Sequence, residues 1–159
     1  MDNSSGADSG TDVPTRTRVR VEVLPWERAL FAAKPIRSAV FVQEQGIDES
    51  EEWDESDPVS FHALAFVGVE CVATGRLLPE GKIGRMAVLK AFRRRGVGAA
   101  VLKALIDEAT RQGMKELRLS AQHQAIEFYR QFGFETEGEP HIEVGIPHQW
   151  MKRRDVNRG

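Results

Sequence analysis

The sequence predicts one α+β domain built on a largely antiparallel sheet, and three observations carry that prediction. Residues 61–89 hold three short apolar runs separated by turn residues, the pattern of a β-meander. On either side of the meander, apolar residues recur at three- and four-residue spacings, as on amphipathic helices. The chain of 159 residues, 41% hydrophobic and 29% charged, has the length and composition to bury a single core.

Taken in order, residues 1–16 are rich in Ser, Gly, Asp and Thr and offer almost nothing to bury. Ordering them would cost backbone entropy without return, so they read as a disordered tail, with the domain at 17–155 and a short tail at 156–159. Val19, Val21 and Val23 alternate with Arg20 and Glu22 in a half-buried strand that stops at Pro25. Residues 26–45 place Leu30, Ile36, Val40 and Phe41 at helical spacings. Pro35 fits the first turn of a second helical piece, so a broken helix is expected. Between Gly46 and Pro58, seven acidic residues from Asp48 to Asp57 surround Trp53, and this stretch reads as a solvated loop.

The meander strands are expected at 61–67, 70–78 and 82–89, joined at Gly68 and Pro79-Glu80-Gly81. Val101, Leu102, Leu105, Ile106 and Ala109 then form the apolar stripe of a helix that Gly113 ends. A strand at 116–121 leads to a second helix from Gln122, with Ala125, Phe128, Tyr129 and Phe132 on one face and Gly133 as its stop. Strands at 134–137 and 149–152, with a turn at Gly145-Ile146-Pro147, close the chain.

A net charge of −2 gives no bulk attraction to nucleic acid or anionic lipid, so a small-molecule partner is favoured over either. Cys71 stands alone, which excludes an internal disulfide and fits a reducing compartment. The first residues lack the basic-then-apolar pattern of a signal peptide, and no apolar run is long enough to span a bilayer. A cytoplasmic protein, monomeric or homodimeric, is the expectation. No metal is expected: no Cys/His spacing resembles a zinc site, and the acidic run lacks the glycine and alternating oxygen ligands of an EF-hand.

The chemistry concentrates where the strand at 82–89 runs into Arg93, Arg94, Arg95, Gly96, Val97, Gly98 and Ala99 and then into the strongest helix. A helix start gathers unpaired backbone N–H groups, glycines let an anion approach the backbone, and arginines add directed donors. A pyrophosphate suits that arrangement. The P-loop is excluded because no Gly-Lys-Ser/Thr follows, and the dinucleotide fingerprint because Val101 stands where its third glycine belongs.

At these residues the chain resembles the GNAT superfamily of acyl-CoA-dependent N-acyltransferases, whose signature is Arg or Gln, two variable residues, Gly, one variable residue, then Gly or Ala. Arg93, Gly96 and Gly98 match it, and the order of elements over 18–154 is that family's order. The stretch 36–46, His62 and Gly145-Ile146-Pro147-His148 resemble the ElaA-like branch.

The resemblance implies a mixed, mostly antiparallel sheet splayed in the middle and flanked by helices on both faces. It implies acetyl-CoA as donor, with the backbone of Met86, Ala87 and Val88 pairing with the pantetheine arm and residues 93–99 holding the pyrophosphate. It also implies that Tyr129, in a Y-x-x-x-G-F segment, protonates the departing thiolate, and that Gln122, where many members carry Asn, contacts the coenzyme arm. The reaction so implied is direct acetyl transfer, in a ternary complex, to a primary amine of a small molecule or peptide. The competing expectation is a non-catalytic module that binds or senses acyl-CoA.

A base must deprotonate the amine, and Glu44, His62 and His148 are the candidates. Arg37, Glu44, Gln45, His62 and His148 are the candidate acceptor contacts, with Arg37 and Glu44, seven residues apart, expected on one helical face. The acidic run would draw a cationic acceptor if it faced the site.

Overall fold

The computed structural model describes residues 18–154, so the tails expected at 1–16 and 156–159 lie outside the described residues. The meander forms as β2 (Phe61–Val67), β3 (Glu70–Leu77) and β4 (Lys82–Val88), with β1 (Arg20–Pro25) antiparallel to β2. Beyond β4 lie β5 (Glu116–Gln122), β6 (Glu135–Thr136), β7 (His141–Glu143) and β8 (Ile146–Arg154). The strand order is β1-β2-β3-β4-β5-β8-β6, with β7 also on β8. Every pairing is antiparallel except β4 with β5.

Helices cover both faces because side chains alternate along each strand. From β2, Ala63 and Ala65 join the core built on α3 (Val97–Arg111) through Val101, Leu102 and Leu105. Leu64 points the other way and packs on Ala29 and Ala33 of α1 (Trp26–Arg37). The expected break in the first helix does not occur. Pro35 lies inside α1, and at Ser38 the helix widens without interruption into a π-helical segment, Ser38–Glu44, after which Gln45 N–H reaches back five residues to Val40 O at 3.0 Å.

The acidic stretch is not the solvated loop its composition suggested. Asp48 caps a short helix, α2 (Glu49–Glu52), by accepting from Ser50 N–H at 3.0 Å, and a single 3₁₀ turn comes next at Asp57–Val59. Glu52 and Asp57 are buried because arginines meet them there. Arg37 donates Nε–H to Glu52 and Nη1–H to Asp57 Oδ1 at 2.8 Å; Arg76 reaches Asp54 at 2.8 Å and Asp57 at 3.0 Å; Arg85 reaches Asp54 at 3.1 Å. Glu52, Asp54 and Asp57 are thus counter-charges to these arginines and not free to attract a cationic acceptor.

The last third also differs in detail. The helix expected from Gln122 is a 3₁₀ turn at His123–Ala125 followed by α4 (Ile126–Arg130), which ends before Gly133. Strand β7 was not anticipated, and the final turn falls at Val144-Gly145, both with positive φ (42° and 77°), so Ile146 and Pro147 already belong to β8. Two consecutive positive-φ residues give the twist that a tight hairpin needs.

The pairing of β4 with β5 covers only Lys82↔Arg118 and Ile83↔Leu119. Gly81 anchors this seam: its carbonyl accepts from Arg118 N–H at 3.0 Å, its φ is +100°, and a Cβ there would lie 2.5 Å from Glu116 O. Gly81→Ala therefore combines an unfavourable φ with a backbone clash and is expected to cost roughly 2–4 kcal/mol. A thermal midpoint unchanged from the parent chain would contradict it. Past Ile83 a bulge places Arg85 at φ 50°, β4 turns away from β5, and the sheet opens.

Candidate active site

The opening between β4 and β5 is a cavity of about 390 Å³. The π-helical segment and the turn after it contribute Phe41, Gln45 and Ile47; β4 contributes Lys82, Arg85 and Met86; β5 contributes Leu119, Ser120 and Gln122. Tyr129 of α4 and Glu143, Ile146 and His148 of the β7–β8 hairpin complete the wall. Such a volume suits a small ligand or one end of a larger one.

At the end of β4 the chain enters the glycine-rich turn. Arg94 and Gly96 have φ of 65° and 82°, and Gly96 is the N-cap of α3. The first helical bond runs from Ala100 N–H to Gly96 O at 3.1 Å, which leaves the N–H groups of Val97, Gly98 and Ala99 without intrahelical partners. Positive-φ residues beside a helix start form a concavity of N–H donors suited to an anion. Arg94 and Arg95 are exposed beside it, Arg95 over the Phe92 ring. Arg93 is held in place: Nε–H donates to Val88 O at 2.9 Å, and its two Nη groups grip Glu44 at 2.6 and 2.7 Å. That bidentate hydrogen bonding pushes the Arg93 pKa up and the Glu44 pKa down.

Tyr129 stands edge-on to Phe128 at 5.1 Å and to Phe134 at 6.1 Å. Burial pushes its phenol up to about 12, and no hydrogen bond to a described residue offsets that. The hydroxyl is therefore a neutral donor at any physiological pH. Nearby, Gln122 Nε2–H donates to Gln45 Oε1 at 3.0 Å, so side chains from both sides of the opening meet.

Of the residues singled out by sequence as acceptor contacts, Gln45 and His148 line the cavity; Arg37, Glu44 and His62 do not. Arg37 is only 1% exposed and committed to Glu52 and Asp57, whereas the Glu44 side chain is 40% exposed and committed to Arg93. The expectation that the two share a face fails because the π-helical winding between them shifts the angular register. His62 is buried against Trp26, at 4.6 Å between rings, with Nε2 2.9 Å from Asp57 O. Burial lowers its pKa.

Sequence reasoning missed Ser120, His141 and Glu143. Glu143 Oε2 accepts from Ser120 Oγ–H at 2.6 Å and lies 2.6 Å from His141 Nε2. Burial pulls the Glu143 carboxyl up, but those two hydrogen bonds and the neighbouring imidazoles outweigh it and hold the group below its ordinary range. The available signal was His141-Ile142-Glu143 ahead of Val144-Gly145, an alternating run entering a hairpin turn, too short to register as a strand. Among the described residues no group of three His, Cys, Asp or Glu side chains is arranged to hold a metal ion, and no helix is long and apolar enough to cross a membrane.

A mixed sheet opened between two parallel strands, with a glycine-rich helix start at the end of one of them, defines the fold class of the GNAT acyltransferases. A sequence model of the acetyltransferase (GNAT) domain matches residues 32–154, and the chain belongs to that family. The uncharacterized N-acetyltransferase YjcF of Bacillus subtilis (strain 168) is 37% identical over 131 residues, covering 80% of this chain and 94% of that one. The crystal structure of Escherichia coli ElaA matches with a TM-score of 0.77 at 29% identity, covering 86% of this chain and all of the other. An acyl-CoA N-acyltransferase from Pseudomonas aeruginosa gives 0.76 at 29% identity, covering 86% of this chain and 99% of the other.

Proposed function

We propose that this chain transfers an acetyl group from acetyl-CoA to the primary amine of a small molecule or peptide, by direct attack within a ternary complex. The observation that carries the reading is the neutral Tyr129 phenol, without a hydrogen-bond partner among the described residues, in the wall of the opening between β4 and β5. Residues 93–99 would hold the pyrophosphate at the start of α3. The Met86, Ala87 and Val88 stretch of β4, which β5 no longer pairs, would bind the extended pantetheine arm as an added strand, with Gln122 across from it.

In the reaction the amine nitrogen attacks the thioester carbon, the C–S bond breaks, and its electron pair goes to sulfur. Tyr129 meets that sulfur as donor. A phenol near 12 facing a thiol of ordinary pKa about 8.5 would give up its proton at a cost of roughly 5 kcal/mol. Against that cost Tyr129 would act first as a hydrogen-bond donor and complete the transfer as negative charge accumulates on sulfur.

The test combines two measurements. Acetyl-CoA is expected to raise the thermal midpoint of the chain, and a panel of amines, peptides and aminoglycosides to include acceptors that trigger free-thiol release. Stabilisation without thiol release from any amine would instead favour an acyl-CoA-binding module, and absence of both would refute the donor assignment. Arg93→Ala removes a guanidinium from the phosphate turn and is expected to weaken acetyl-CoA roughly 10- to 100-fold by calorimetric titration. Unchanged affinity would take Arg93 out of the donor site.

A further inference from the structure

The β7–β8 hairpin brings a histidine and a carboxylate to the cavity wall in an arrangement that fixes which of their atoms are available. His148 Nδ1 lies 2.7 Å from Ile146 O. A carbonyl oxygen only accepts, so Nδ1 carries the proton and, in the neutral ring, Nε2 holds the lone pair. That Nε2 is 3.9 Å from Glu143 Oε1, too far for a hydrogen bond. Glu143 is kept from closing the gap because its other oxygen is held by Ser120 and His141. Both residues line the cavity, neither of these two acceptor atoms has a hydrogen-bond donor among the described residues, and one nitrogen about 2.9 Å from each would satisfy both.

We infer that the gap between His148 Nε2 and Glu143 Oε1 is the seat of the acceptor's ammonium group, and that His148 is the base that activates it. The inference deepens the proposed acetyl transfer and rests on it for the catalytic step. A primary ammonium brings three N–H donors: one meets Nε2, one meets Oε1, and the third stays on nitrogen, while the C–N bond carries the rest of the acceptor. The proton on the first passes to Nε2, and Glu143 stabilises the imidazolium that forms. The amine, still held by Oε1, then has its lone pair for the thioester carbon. One proton leaves per turnover through His148; the second nitrogen proton lost as the amide forms balances the one gained by the thiolate, so Tyr129 ends reprotonated.

The titratable or charged groups around this pair are His141 on β7, stacked on His148 at 6.1 Å, Lys82 and Arg85 from β4, Glu52 from α2, and Tyr129 from α4. Lys82 lies over the Trp150 ring at 5.4 Å, and Arg85 is engaged by Glu52 and Asp54. None of these offers a lone pair to the amine as directly as the imidazole does.

The full chain, labelled with ¹⁵N at histidine and without donor, provides the first test. In the neutral state the His148 signals are expected to report the Nδ1–H tautomer. Methylammonium chloride should shift them saturably, while tetramethylammonium, equally charged but without N–H donors, should not. With acetyl-CoA and an active amine, His148→Gln is expected to lower thiol release at neutral pH about 100-fold or more and to remove the acidic limb of kcat/KM, with stabilisation by acetyl-CoA retained. An Nε2–H tautomer, equal responses to the two cations, or a variant that keeps both turnover and limb would overturn the inference. If acetyl-CoA neither stabilises the wild-type chain nor yields thiol, it is the acetyl-transfer reading that fails, and the two titrations still decide the ammonium site.

Discussion

Tyr129→Phe is expected to reduce kcat about 100- to 1,000-fold with an active amine while leaving the affinity for acetyl-CoA unchanged. The substitution removes one oxygen and keeps the ring, so the packing on Phe128 and Phe134 persists and the fold is spared. The hydroxyl has no hydrogen bond to a described residue, so its loss strands no buried partner. In the proposed reaction the substitution would remove the donor to sulfur as the C–S bond breaks, an interaction expected in the transition state and not in the ground state. Because burial places the phenol near 12, the wild-type rate should show no fall from Tyr129 ionisation until strongly alkaline pH. A variant with kcat within threefold of the parent would exclude the acid role, and rate-limiting product release would be tested by a single-turnover measurement.

Arg37→Ala is expected to be the most damaging substitution for stability, at roughly 3–5 kcal/mol or about 10 °C in the thermal midpoint. Arg37 is 1% exposed and binds two buried carboxylates and the Glu52 carbonyl, with the Trp53 and Trp26 rings 4.8 and 5.4 Å from its guanidinium. Its removal leaves Glu52 and Asp57 short of counter-charge. The pH dependence comes from their opposite shifts. At Asp57 burial raises the pKa, but hydrogen bonds and charge from Arg37 and Arg76 outweigh it and leave the group below 3.8. Its contribution is therefore present above that unfolded value and lost as pH falls through the folded one. Glu52 lies above 4.5 because burial dominates, so its contribution is present at acid pH and lost as pH rises through its folded pKa. Without Arg37 both groups shift upward, and protonation relieves the burden. The deficit of the variant should thus be larger at pH 7 than at pH 4. Equal deficits at both would mean that lost packing, not orphaned charge, is the cause.

The legible parts of this protein were those with local causes. The meander was readable because each strand's apolar run is bounded by its own turn residues, and α3 because its stripe is complete within fifteen residues. The α+β class and the GNAT family came from that order and from Arg93, Gly96 and Gly98. The acidic segment was misread because Glu52 and Asp57 depend on Arg37, Arg76 and Arg85, residues 15 to 33 positions away, and composition carries no record of such partners. Arg37 was assigned to the cavity for a related reason: helical-wheel arithmetic assumes one winding from end to end, and the π-helical segment breaks that assumption at Ser38.

The amino-acid sequence by itself determined the fold class, the family and the glycine-rich turn at the start of α3, since each is written in contiguous residues whose spacing obeys local geometry. Gln45 and His148 were named from the sequence, but the grouping of His148 with Ser120 and Glu143 was decided by tertiary structure. Ser120 comes from β5 and Glu143 and His148 from the β7–β8 hairpin, which meet only once β8 pairs with β5 and β7 folds back on it, and a 3.9 Å gap between two side chains is a property of that register. The opening in which they stand arises the same way, from a bulge at Arg85 and a parallel pairing that lasts two residues.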